Sequence, residues 1–390
     1  MDERLRTPSR ALRCSEHKDP LVVPWHMTLT EWFDGYTERD WQTADSDAGP
    51  VRFALVGLGW WTTDVALPAI ENSTFCETTA LVSGSREKAD RIATRHGVDH
   101  AVTYEAFHDC AATDAYDAVY VGTPNATHLE YAEAAAEQSK AILTEKPIEA
   151  TVGRGRRTVE AAEAANVPLM TGYRMQVEPA VRRARELIES GFVGDPVQVY
   201  GSNTQSLLEI IPDADQWRLD PDLTGYGATV MDIGIYPINT ARYLLDRAPV
   251  AASARTRSSH EAFGDVPDEH ATFTLTYEGD VPLVATTSQN AGSDSQLKIV
   301  GTEGIVEFLP AFHGTATLRV ARGGIRAEIT SEFDEHRETE ALFDYFADRI
   351  LTGESIGPDG RQGLHDLRTI RAIHEAADRG EEVGIPLDAE

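Results

Sequence analysis

The 390 residues are 41% hydrophobic, which is enough for two packed cores and too apolar for a disordered chain. There are 64 acidic and 35 basic residues, a formal net charge of −29. That charge repels phosphate backbones and anionic lipid, so neither nucleic acid nor a membrane surface is expected as a partner.

No run of 18 apolar residues exists to span a bilayer. Cys14, Cys76 and Cys110 are too few and too dispersed for a disulfide framework or a zinc site, and they suit a reducing cytoplasm. The basic residues are 30 Arg and only 5 Lys. Lysine exposes a long apolar stem whereas carboxylates hold water, so this balance fits a protein kept soluble in multimolar salt. A GC-rich genome would favour Arg over Lys, but it would not add the carboxylates.

Residues 1–26 depart from this chemistry with a net charge of +1 and no apolar segment behind the basic residues, so a leader is expected there, or a start at Met27. Residues 27–50 hold Trp32, Phe33, Tyr36 and Trp41 at near-helical spacing. This aromatic arm is expected to dock on the body or on a neighbouring subunit.

From Val51 the chain alternates apolar runs at 51–57, 78–83, 117–122, 140–144 and 167–171 with helical stretches near 64–71, 86–96, 127–138 and 151–165. That alternation predicts a doubly wound parallel sheet over 51–174, and Asn166 marks the end of its last helix. Beyond 175 come a helix at 176–190 and an apolar stretch at 228–245. Strand patterns then follow directly at 250–259, 269–278, 282–290, 295–301, 304–309, 316–322 and 325–330, and helices at 337–352 and 362–379 close the chain. Strands without intervening helices predict an α+β domain with a mainly antiparallel sheet over 175–390. A cleft between the two domains is the expected site.

The first strand runs into Gly57-Leu58-Gly59-Trp60-Trp61-Thr62. Strand, G-x-G and helix form a dinucleotide turn, in which Gly57 permits the bend and Gly59 the approach of backbone N–H groups to a pyrophosphate. Thr62 stands where a third glycine is usual. The second strand ends in Ser83-Gly84-Ser85-Arg86 with no acid before Glu87, whereas NAD sites place Asp or Glu there for the ribose 2′-hydroxyl. Ser83, Ser85 and the Arg86 fork suit a 2′-phosphate, so NADP is expected. Arg86 as an ordinary surface residue is the alternative.

Further along, Thr123, Asn125 and His128 lie in T-P-N-A-T-H, and Glu145 and Lys146 in T-E-K-P. Both follow strand ends, where ligands bind in such sheets. Lys146 is one of the five lysines, which points to a needed cation rather than a solvated surface residue. In the second domain, Gly225-Tyr226-Gly227 opens an apolar helix on which Asp232 and Tyr236 share a face. A carboxylate beside a phenol there suits acid/base work, or else a Tyr hydroxyl satisfied by Asp. No H-E-x-x-H, C-x-x-C or G-x-x-x-x-G-K is present, so no metal is expected.

Taken together, V-G-L-G, T-P-N-A-T-H, T-E-K-P, G-Y-R-M and M-D-I-G-I-Y resemble the glucose–fructose oxidoreductase (Gfo/Idh/MocA) family from about 51 to 380. The resemblance implies NADP-dependent oxidation of an aldopyranose, D-xylose foremost, at C1 to its lactone. It implies Tyr236 as acid/base with Lys146 beside it, Asp232 at the substrate, and Trp60, Trp61 and Arg174 near the cofactor. Arg174 stands where many relatives carry Asn, so it could serve pyrophosphate or sugar. A homo-oligomer, dimer or tetramer, is expected through the C-terminal sheet. Another aldose, a polyol or a dihydrodiol remains open as substrate, as does a non-catalytic NADP-binding sensor.

Overall fold

Val51–Val56 (β1) is buried on both faces, as a central parallel strand must be. The computed structural model describes residues 39–45, 48–330 and 333–387. The leader and Trp32, Phe33 and Tyr36 lie outside the described residues.

Strands β2 (Cys76–Ser83), β3 (His100–Thr103), β4 (Ala118–Val121), β5 (Ala141–Thr144) and β6 (Leu169–Thr171) join β1 in one sheet. The order is β3-β2-β1-β4-β5-β6 with every pairing parallel, as the alternation predicts. The order reverses between β1 and β4, and the crevice beyond their carboxyl ends is where such sheets bind ligands. A π-helical turn, Thr62–Ala66, leads into α1 (Leu67–Asn72), and α2 (Arg86–His96), α3 (His128–Glu137) and α4 (Val152–Ala165) follow. Thr151 caps α4 by accepting from the Arg154 N–H, and Asn166 ends it in the left-handed conformation at φ 54°. Edge strand β3 is too short to stand out in the sequence.

Helix α5 (Pro179–Glu189) leads to β7 (Pro196–Ser206), and α6 (Ile235–Leu245) precedes β8 (Pro249–Arg257). Strands β9 (His270–Tyr277), β10 (Val281–Ser288), β11 (Asn290–Gly301), β12 (Gly304–Phe308), β13 (Thr317–Arg322), β14 (Ile325–Thr330) and β15 (Val383–Gly384) complete a nine-stranded sheet. Its order is β14-β13-β12-β11-β7-β10-β9-β8-β15, and β7–β10 is its parallel pair. The seven expected strands correspond to β8–β14. The central strand β7 is an addition, because its polar second half hides the strand pattern.

The last helices are α7 (Glu335–Thr352) and α8 (Gly360–Arg379). Although they belong to the segment expected to form the second domain, α7 returns to the first sheet, where Phe343 meets Phe53 edge-on at 5.3 Å and Tyr120 at 5.2 Å. The described part of the arm docks on the body through the same helix. Thr43 and Ala44 N–H groups donate to buried Asp348 at 2.7 and 2.6 Å, and Trp41 packs on Tyr345. Among the described residues no helix is long and apolar enough to cross a membrane.

Candidate active site

A cleft of about 920 Å³ runs from the ends of β1, β2 and β4 to the second sheet. At its first turn Gly57 has φ +89°, and a Cβ there would fall 2.6 Å from Thr123 Cγ2, so only glycine fits. Thr62, in the third-glycine position, is buried. The space it takes is yielded by Gly122, where a Cβ would sit 2.7 Å from Thr62 Oγ1. Open space surrounds Gly59, and Trp60 and Trp61, edge to face at 5.6 Å, line the cleft with Thr123, Asn125 and Glu145. Asn125 Nδ2 donates to the Thr224 carbonyl at 2.9 Å, tying this loop to the second domain. Glu145 accepts from the Tyr120 hydroxyl at 2.9 Å. Thr123 Oγ1 is buried without a hydrogen-bond partner among the described residues.

Three sequence expectations shift at this end. His128 does not line the cleft. It is fully buried, with Nε2 2.9 Å from the Thr123 carbonyl and Nδ1 3.3 Å from that of Ile148, so it braces the loop from behind. Ser85 caps α2, accepting from the Lys88 N–H, and is also absent from the lining. The Arg86 Nε donates to both Asp90 carboxylate oxygens at 3.0 Å along the outer face of α2. Two residues on, about 200° round the helix, Lys88 lines the cleft instead, as do buried Ser83 and half-buried Tyr104. Of the two cations at this end, Lys88 rather than Arg86 lines the cleft. Its scarcity in the sequence was the available signal.

The other end of the cleft rests on a π-helical turn, Val230–Gly234, that runs into α6. Buried Asp268 accepts from the Ala228 and Val230 N–H groups at 2.5 and 2.8 Å, satisfying donors at the start of the turn. Asp232 on this turn receives Lys146 Nζ at 3.1 Å, Arg218 Nε at 3.1 Å and Gln289 Nε2 at 2.9 Å. Burial opposes its charge, but Lys146 and then Arg218 outweigh it and hold the carboxyl well below the usual range. Lys146 Nζ also donates to the Asp232 carbonyl at 2.7 Å and lies 5.0 Å from the centre of the Tyr236 ring. Burial disfavours the ammonium, and Asp232 and Tyr236 overcome it, so Lys146 stays charged.

Arg174 lies against the phenol and also over the Trp61 ring, 6.0 Å from its centre. Its Nε donates to the Tyr236 hydroxyl at 3.2 Å, its Nη2 to the Phe312 carbonyl at 2.8 Å, and its Nη1 pairs with buried Glu338. Phe312 and His313 pack on the Tyr236 ring at 5.7 and 5.4 Å. Burial, then the Arg174 and Lys146 charges, push His313 down to about 3, so the imidazole is neutral near pH 7. Lys146, Asp232 and Tyr236 thus converge as the sequence expects, and Arg174 joins them, while Gln289 and His313 carry no local motif that would single them out.

Residues 51–173 match an oxidoreductase family described by its NAD-binding Rossmann fold, and residues 181–307 match the GFO/IDH/MocA C-terminal domain. The chain belongs to the GFO/IDH/MocA oxidoreductase family. It is 50% identical over 355 residues to D-xylose 1-dehydrogenase [NADP(+)] of Haloarcula marismortui, covering 90% of this chain and 98% of that protein. It is 27% identical to 1,5-anhydro-D-fructose reductase of Ensifer adhaerens, over 85% of this chain and 97% of that one. Among solved structures, the aldose-aldose oxidoreductase of Caulobacter crescentus superposes with a TM-score of 0.80 at 30% identity, covering 86% of this GFO/IDH/MocA chain and 100% of the other.

Proposed function

We propose that the protein is an NADP-dependent dehydrogenase that oxidises an aldopyranose, D-xylose first among them, at C1 to the lactone. The observation that carries the chemistry is the Tyr236 hydroxyl, held by Arg174 at 3.2 Å with the Lys146 ammonium over its ring. The similarity to the Haloarcula enzyme over nearly its whole length supports the substrate and cofactor.

Gly57, Gly59, Trp60 and Trp61 would hold the pyrophosphate, and Ser83 with Lys88 the 2′-phosphate. Bound NADP supplies the hydride acceptor. Acting as base, the phenolate oxygen of Tyr236 takes the C1 hydroxyl proton and becomes the phenol, because hydride loss from C1 otherwise leaves an uncompensated oxocarbenium centre. Positive charge from Arg174 and Lys146 lies beside that oxygen. Asp232 fixes Lys146 in place and balances it, with Arg218 and Gln289 fixing Asp232 in turn. A sensor would have no use for a phenol held between two cations in a ligand cleft.

The test is NADPH formation from a panel of pentoses, hexoses, polyols and dihydrodiols in molar KCl. D-xylose should give the highest kcat/KM. Preference for a polyol or dihydrodiol would replace the substrate assignment, and no turnover at all would favour the sensor.

We also propose a homo-oligomer through the open face of the second sheet. There Tyr200 and Val284, exposed and in register on β7 and β10, adjoin a ladder of Lys298, Glu307, Arg319 and Glu328 across β11–β14. An apolar patch beside alternating charges suits a second copy. Sedimentation should give a mass above one chain in molar KCl, and Tyr200→Arg should lower it. A one-chain mass for the wild type would remove the proposal.

A further inference from the structure

His313 stands in the loop between β12 and β13, which is fixed from two sides. Ser295 Oγ accepts from the Ala311 and Phe312 N–H groups at 3.0 and 3.3 Å, and Arg174 Nη2 holds the Phe312 carbonyl at 2.8 Å. The imidazole is therefore presented to the cleft by a braced loop.

Its tautomer follows from its neighbour. Nδ1 lies 3.4 Å from Arg174 Nη2, and a guanidinium has donors only, so Nδ1 must accept. A neutral ring accepting at Nδ1 carries its proton on Nε2. That Nε2–H is buried and has no partner among the described residues. An unmet buried donor is costly, and in a ligand cleft its natural complement is an acceptor on the ligand. With Nδ1 occupied by Arg174, the ring cannot accept a proton from substrate there, so its task is recognition rather than acid/base work.

We propose that His313 donates from Nε2 to a hydroxyl of the bound sugar other than the C1 hydroxyl, and so sets which aldoses the site accepts. The proposal rests on the aldopyranose reading above. The C1 hydroxyl faces Tyr236, whose ring His313 packs against, so the imidazole reaches a neighbouring part of the same pyranose. A site built to donate to a hydroxyl discriminates strongly against the analogue that lacks it, because the donor is left unpaired.

The experiment pairs enzyme and substrate deletions. Wild type, His313→Ala and His313→Leu are assayed with D-xylose and its 2-, 3- and 4-deoxy analogues at saturating NADP in molar KCl, with thermal melts of each protein. Leu keeps most of the volume without the donor, should Ala fail to fold. Wild type should lose about 10²-fold or more in kcat/KM on one deoxy analogue, whereas the variants should lose less than about threefold on that same analogue. The variants should also raise KM for D-xylose about tenfold and leave KM for NADP unchanged. Deoxy penalties that persist undiminished in both variants, or a loss that falls on KM for NADP, overturn the proposal alone. No turnover by wild type on any aldose overturns the aldopyranose reading and this proposal with it.

Discussion

Tyr236→Phe is expected to lower kcat by about 10²–10⁴-fold, the usual yield of a positioned acid/base. The phenyl ring keeps the contacts with Phe312 and His313, so the variant should fold and bind cofactor as the wild type does. What disappears is the oxygen that Arg174 Nε bonds at 3.2 Å. Lys146→Ala should fall in the same range for a different reason. It removes the ammonium 5.0 Å from the ring centre and leaves Asp232 to Arg218 and Gln289 alone. Steady-state kinetics with cofactor titration by fluorescence separate chemistry from binding. Near-wild-type kcat in either variant would take that residue out of the mechanism.

The sequence carried most of the first domain because parallel strands buried on both faces read as apolar runs, and its helices carry their own start and stop residues. The second domain was legible except at its centre. Strand β7 runs polar from Ser202 to Ser206 because it lies beneath the element that bears the site. Gly201 gives room to Pro237, from which a Cβ would stand 2.9 Å, and Asn203 Nδ2 donates to the Ile233 carbonyl at 3.1 Å. Bulkier β-branched residues would lift α6 off the sheet, so the strand signal is lost where the site needs close approach.

In the site, Lys146, Asp232 and Tyr236 stood out as charged or phenolic groups in apolar segments. His313 stood in a loop 77 residues beyond Tyr236, and nothing local ties the two. Arg174 was visible, but its partner could be seen only once α7 brought Glu338 and the second domain brought Phe312 to it. Lys88, which lines the cleft, is a different case. The scarcity that singled out Lys146 applies to it equally, but Arg86, two residues before it, carries the guanidinium that is the better phosphate fork.

Cofactor choice turns on that difference. In α2 Asp90 is four residues from Arg86 and draws its guanidinium along the exposed face, a pair that costs nothing to break only if some better anion lies within reach. Lys88 points into the cleft beside Ser83, which is buried and accepts from the Ser85 N–H at 3.2 Å. A charge-assisted contact to a 2′-phosphate contributes about 1.5–3 kcal/mol, and each 1.4 kcal/mol is a factor of ten. Lys88→Ala should therefore weaken NADP by about 10–100-fold and leave NAD almost unchanged, while Arg86→Ala should change either cofactor by less than about twofold. Molar salt screens the long-range part of this attraction, but a contact at hydrogen-bond distance persists. Ser83→Asp should go further and reverse the preference, since a carboxylate repels the 2′-phosphate and accepts from a ribose hydroxyl. Cofactor titrations of the three variants in molar KCl decide between the two cations. If Arg86→Ala carries the loss and Lys88→Ala does not, the phosphate draws Arg86 away from Asp90 on binding, and Lys88 is a solvated residue at the rim.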